Sequence, residues 1–254
     1  MRRMGAGAAF AAVAVFLVAA ESRAQTPAAP AAAAVEPAAM DALKAMGAYL
    51  RSLKAFRVEA ATTDEDVLED GQKVQYDGRA TILARMPDGL RAEVSNDRFD
   101  RMFFYDGRTF TLYGRRLNLF ATIAAPPTIG KLADQLDAEH GLTVPLVDLF
   151  RWGSDGWTTD GITGALDLGP ASVAGTTCEQ YAFRTDEVDW QIWIQKGDFP
   201  LPRKLVITTR TDEARPQHTA VFTWDLAPSF SADAFVFDPP EGAGRVVLAR
   251  AAGQ

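Results

Sequence analysis

Two series of short extended runs constrain this chain more than any other feature. The first comprises FRVEAATTDEDVL, QKVQYDGRATILAR, GLRAEVS, MFFYDG, TFTLYG and LNLFATI. The second comprises ALDLG, TCEQYAFRT, VDWQIWIQ, PRKLVITTR and HTAVFTWDL. Each run mixes apolar and polar residues with the period of two that a half-buried strand needs, and Gly, Asp or Pro separates it from the next. A parallel crossover takes about a dozen residues or more, and these connections are shorter, so neighbouring strands are expected to pair antiparallel. About eleven strands in one meander are too many for a flat open sheet and are expected to curl.

Helices are predicted at two places. Met40, Leu43, Met46, Leu50 and Leu53 recur at helical spacing with charged residues between them, which predicts an amphipathic helix from about Pro37 to Lys54 whose apolar stripe needs a sheet to cover. Between the two strand series, Ile129, Leu132, Ala133 and Leu136 mark one face of a helix that starts at Thr128 and ends at Gly141. A shorter helix is predicted from Pro145 to Trp152. Such an insert between two halves of a curled sheet can cover its face.

The amino terminus reads as an export signal. Arg2 and Arg3 precede an apolar stretch from Ala8 to Ala20, and Ser22-Arg23-Ala24 offers small residues at the −3 and −1 positions of a cut before Gln25. Residues 1–24 are therefore expected to be a signal peptide, residues 25–39 an Ala/Pro-rich flexible tether, and residues 40–254 a single folded unit. The apolar run is shorter than the roughly 20 residues that span a bilayer. A lipid-anchored protein would need a cysteine directly after the cut, and the sole cysteine is Cys178, so no permanent membrane anchor is expected. A lone cysteine forms no internal disulfide, and in its alternating segment Cys178 reads as a buried, inert thiol. Of 26 basic and 33 acidic residues, the signal removes Arg2, Arg3, Arg23 and Glu21, which leaves a formal charge of −9. That surface repels phosphate backbones, so nucleic acid is excluded as a partner.

Several separated segments together resemble the periplasmic lipoprotein-carrier superfamily, the LolA/LppX-like fold. They are LARMPDGLRAEV at 83–94, MFFYDGRTFTLYG at 102–114, LPRKLVI at 201–207 and FVFDPPEGAGRVV at 235–247. The stretch from Val188 to Arg210 further resembles an uncharacterised branch of predicted periplasmic proteins in that superfamily. The resemblance runs from about Asp41 to Val247. It implies an α+β fold: a strongly curved antiparallel half-barrel sheet with helices on its concave face and an apolar cavity for an acyl chain, without catalytic machinery. It also implies a last strand carrying Phe235 and Phe237 on one face, stopped by Pro239 and Pro240, that closes the end of the half-barrel. One position departs from the pattern. Lipoprotein carriers have a latch arginine directly before the proline of the second strand's end; here Met86 precedes Pro87, and Arg85 would face the other way.

Alternation provides the expected lining of the cavity: Trp190 and Ile192 on one strand, Phe222 and Trp224 on another, with Phe103, Tyr105, Phe110, Leu112, Tyr181, Phe183 and the flexible Met86. Ile129, Leu132, Leu136, Leu149 and Phe150 are expected to form the lid. Residue by residue, these side chains can equally pack as ordinary core; the cavity is an expectation about the set. Catalysis finds no support, because His140 and His218 lie in unrelated settings and no zinc-protease, nucleophile-elbow or dithiol motif occurs. His140 reads as a favourable charge or solvated ring at a helix end, and His218 as a solvent-facing residue. The acidic run TTDEDVLED reads as a solvated hairpin end and lacks the order of a calcium loop. Neither metal nor cofactor is expected. Two functions remain: a carrier for an acyl-chain ligand or lipoprotein, or a structural or regulatory module with a filled core whose partner is another envelope protein.

Overall fold

The computed structural model describes residues 34–251. The expected signal peptide and the tether up to residue 33 lie outside the described residues. The chain meets the sheet earlier than the predicted onset of order near Met40: Val35 bridges Ala165 in parallel, and helix α1 spans Pro37–Ser52. Pro37 opens that helix, where a missing N–H costs nothing. Ala39, Leu43, Met46, Gly47 and Leu50 are its buried face.

Six strands follow in a meander: β1 (Ala55–Val67), β2 (Lys73–Arg85), β3 (Gly89–Asn96), β4 (Asp100–Tyr105), β5 (Thr109–Gly114) and β6 (Leu119–Ala124). Then come α2 (Ile129–His140) and α3 (Asp148–Arg151), and a second meander of β7 (Gly164–Val173), β8 (Thr176–Arg184), β9 (Val188–Gln195), β10 (Pro202–Thr209) and β11 (Gln217–Asp225). All strands belong to one open, curved sheet of order β12-β6-β5-β4-β3-β2-β1-β11-β10-β9-β8-β7, where β12 is the two-residue Gly244–Arg245. The two meanders join where β1 pairs antiparallel with β11, from Arg57 opposite Asp225 to Asp64 opposite His218.

This order has a geometric consequence for the insert. β6 and β7 stand near opposite ends of the sheet, so residues 125–163 must cross its width. They do so over one face: Ile129, Leu132, Leu136, Leu149 and Phe150 share a single buried cluster with α1 and with Phe56, Val58, Ile82, Leu90, Tyr105 and Phe222 of the strands. The predicted caps hold α2. The Thr128 hydroxyl accepts a hydrogen bond from Lys131 N–H at 3.3 Å, and Gly141 adopts the left-handed conformation, φ 60°, that lets the Leu142 N–H reach back to the Leu136 carbonyl at 3.0 Å.

Two contacts fasten the insert to α1. Gly47 and Gly153 bring their backbones so close that a Cβ at Gly153 would stand 2.6 Å from the Gly47 carbonyl carbon. Arg51 donates to the carbonyls of Leu149 and Phe150, the latter at 3.0 Å, and so satisfies the open end of α3. Burial lowers the pKa of this guanidinium. Arg51→Ala leaves those carbonyls without their donor and is expected to lower stability by about 2–4 kcal/mol, a fall of roughly 5–10 °C in thermal midpoint by calorimetry.

The tail departs from expectation. Residues 235–237 form no strand: Phe235 and Phe237 belong to a strap across the opposite face of the sheet. Arg85 lies over the Phe235 ring at 4.9 Å, and Phe237 packs on Phe104, Tyr113 and Phe120 with ring centres 5.1–5.3 Å apart. Met102 and Phe104 alternate with Phe103 and Tyr105 on β4, so this patch is the reverse of the helix-covered face. The strand the tail does contribute, β12, comes after the two prolines and pairs parallel with β6.

Candidate functional site

Along β1 the helix-covered face runs Phe56, Val58, Ala60, Thr62, Asp64, from apolar to polar. β11 repeats this in reverse with Trp224, Phe222, Ala220 and His218, because the two strands are in register. The residues beyond Ala60 and Ala220 are small or polar, and here the sheet and the crossing segment part. The gap is a cavity of about 420 Å³. Its apolar wall comes from Ala80, Val94, Phe103, Leu205, Ile207 and Phe222 of the sheet, and its roof from Val144, Leu146, Val147, Leu149 and Trp152. Thr62, Asp64, Arg101, Asp148 and His218 add polar atoms. A second void of about 220 Å³ continues past Asp148 and Trp152 toward Trp157 and Trp190. At its end three rings stack, Trp152 on Trp190 at 6.2 Å and Trp190 on Phe183 at 4.2 Å.

Of the residues expected to line a cavity, Phe103 and Phe222 line the first void and Trp190 the second. Phe183 borders a separate surface groove with the outer side of Trp190. Met86, with Ile129 and Phe150, borders a wider open cleft beside α2. Tyr105, Phe110, Leu112, Tyr181, Ile192 and Trp224 line neither void and belong to the core packing. The Trp224 indole N–H donates to the Pro202 carbonyl at 2.8 Å, and the Tyr105 hydroxyl to that of Pro126. Burial, with help from the carboxylates of Asp88 and Asp106, pushes the Tyr105 phenol up to about 12. Among the lid residues Leu149 roofs the cavity, whereas Leu132 and Leu136 are buried without touching it.

Both histidines have hydrogen-bond partners far away in the sequence. His218 keeps a side chain 34 % exposed, and its Nδ1–H donates to the Asp64 carboxylate at 2.6 Å on the cavity wall, because the β1–β11 register sets the two side by side. The His140 ring is only 6 % exposed and donates from Nδ1 to the Ala249 carbonyl at 2.8 Å, since the tail folds over it. Cys178 is buried, and burial raises its thiol pKa. Arg85 pairs with Asp88 at 3.1 Å on the reverse face, away from the insert. Sequence reasoning missed Asp148, Trp152, Trp157 and the run from Val144 to Val147; only the apolar character of that run signalled them. Among the described residues no cluster of three or more metal-ligating side chains occurs, and no helix is long and apolar enough to cross a membrane.

Fold and site together define an open curved-sheet protein whose apolar face is crossed by a helical segment and holds a cavity beneath it. Residues 39–249 match the family described as "Predicted periplasmic protein (DUF2092)", and the chain belongs to that family, whose description assigns it to the periplasm. No curated protein matches the sequence significantly. Solved structures similar to the fold include an uncharacterized conserved protein from Thermus thermophilus, with 11% identity, TM-score 0.48 and coverage of 83% of this chain and 99% of that one. LprF from Mycobacterium bovis is similar at 12% identity and TM-score 0.45 with the same coverages. The lipoprotein LppX from Mycobacterium tuberculosis is similar at 9% identity and TM-score 0.39, covering 76% of this chain and 98% of that one.

Proposed function

We propose that this protein is a soluble periplasmic carrier or chaperone for an acylated or otherwise hydrophobic ligand, a lipid or a lipoprotein chain, held between the sheet and the crossing segment, and that it binds without catalysis. In this reading the helix-covered face is the concave one and Val144–Leu149 is the lid. The observation that supports it best is the cavity of about 420 Å³ with mainly apolar walls, a volume within the range of about 300–1,000 Å³ typical of ligand sites. Each methylene moved from water contributes about 0.8 kcal/mol, so ten give a gross ~8 kcal/mol before ordering costs. That suffices for useful affinity without a charge clamp, which suits an acidic protein with Met86 at the latch position.

Mass spectrometry of organic extracts from the purified protein tests the proposal. A copurifying acyl-chain compound in near-stoichiometric amount is the expected result. A lipid-free protein that also takes up no fluorescent acyl probe would point instead to an envelope interaction module with a filled core.

A further inference from the structure

One polar group in this site has no evident structural use. Asp148, the first residue of α3, lines both voids at the point where they meet. It lies deep among protein atoms, and burial raises its pKa. It is half-buried, with both voids bordering it. The basic side chains beside it have other partners: Arg151 reaches Asp134 at 3.8 Å, and His218 is hydrogen-bonded to Asp64. Arg151 and His218 therefore act on Asp148 only through space, and among the described residues no hydrogen bond stabilises its carboxyl. A half-buried carboxyl without a donor still costs desolvation, and a position beside Val144, Leu205 and Ile207 could hold an apolar residue without that cost. The cavity's second carboxylate, Asp64, is taken up by His218, while Arg101, also among the lining residues, is exposed.

From this placement we infer that the ligand is an amphiphile whose polar end donates a hydrogen bond, a hydroxyl or an ammonium rather than an anionic head, and that Asp148 receives that donor. The inference rests on the carrier reading and specifies its ligand class. The apolar chain then extends from Asp148 along Phe222 and Phe103 or toward Trp157 and Trp190, whichever void it fills.

Calorimetric titration of the delipidated protein near neutral pH with three probes of equal chain length, dodecanol, dodecylamine and dodecanoate, tests it. Wild type is expected to bind the alcohol and the amine about tenfold or more tighter than the carboxylate. Asp148→Leu, with its fold checked by circular dichroism, is expected to remove that preference while still binding a twelve-carbon chain. Equal binding of the three probes by wild type, tighter binding of dodecanoate, or a preference that persists in Asp148→Leu overturns the inference and leaves the carrier reading standing. Binding of none of the three overturns both. Should the variant fail to fold, the wild-type ranking alone decides.

Discussion

Gly153→Ala is expected to lower the thermal midpoint by about 10 °C. Two independent costs combine at this position. Gly153 has φ +69°, a left-handed conformation that costs a residue with a Cβ roughly 1–2 kcal/mol. The added carbon would also sit 2.6 Å from the carbonyl carbon and 2.7 Å from the oxygen of Gly47, and both are backbone atoms of a packed helix that cannot swing aside. Together these bring the expected loss to about 3–5 kcal/mol, and in a domain of this size each kcal/mol moves the midpoint by roughly 2–4 °C. Gly161→Ala is the matched control, since nothing lies within 4 Å of its new carbon, and it is expected to change stability by less than about 0.5 kcal/mol. Differential scanning calorimetry on the two variants checks both values. Equal midpoints would mean that α1 and the insert do not meet at these glycines.

The largest effect on binding is expected from Phe222→Asp. Its ring is 3 % exposed and forms part of the cavity wall beneath Leu149. A carboxylate there would have to be desolvated against the ligand chain, so uptake of a fluorescent acyl probe should fall at least ~100-fold, about 2.7 kcal/mol. Because Phe222 also belongs to the core, this variant alone could lose binding by losing its fold. Val94→Trp answers that. Val94 is only half-buried, and its side chain faces the same void from β3, so a larger ring fills space the ligand would use and leaves the core below it intact. Probe titration with circular dichroism on both variants should show folded protein and lost uptake at least for Val94→Trp; a folded Val94→Trp that binds as wild type does would place the ligand elsewhere.

The strands were legible because each carries its own evidence: alternation, with Gly, Asp or Pro at its end. β9 begins and ends where the alternation of VDWQIWIQ does. The caps of α2 were legible for the same reason, since Thr128 and Gly141 act on their own neighbours. Features that depend on distant partners were not. The pair His218–Asp64 exists only because residues 154 apart share a register. Phe235 and Phe237 alternate as a strand would, yet the stacking partners of Phe237 lie on β4, β5 and β6, and the tail crosses that face instead of joining an edge there. Asp148 stands within Leu-Val-Asp-Leu-Phe, where a polar residue usually marks the wet side of a helix; in the single turn of α3 it is half-buried and borders both voids. The contact of Gly47 with Gly153 leaves no local trace at all.

The two segments that flank the folded sheet have a bearing on how copies of this protein coexist at high concentration. At one border, Gly244 N–H donates to the Asn118 carbonyl and Val246 N–H to that of Phe120, so β6 offers its groups to its own chain. At the other, Ala165 N–H donates to the Ala34 carbonyl, Glu36 N–H to that of Ala165, and Asp167 N–H to the Glu36 carboxylate at 2.8 Å. Farther along β7, the bulge between Asp167 and Gly169 and the donorless Pro170 interrupt what remains. A long open sheet with bare borders would template stacking of one molecule on the next. Here the chain's own outlying residues cover part of each border, so proteolytic trimming that removes Glu36 at one end or Gly244 at the other is expected to make edge-to-edge association of copies easier.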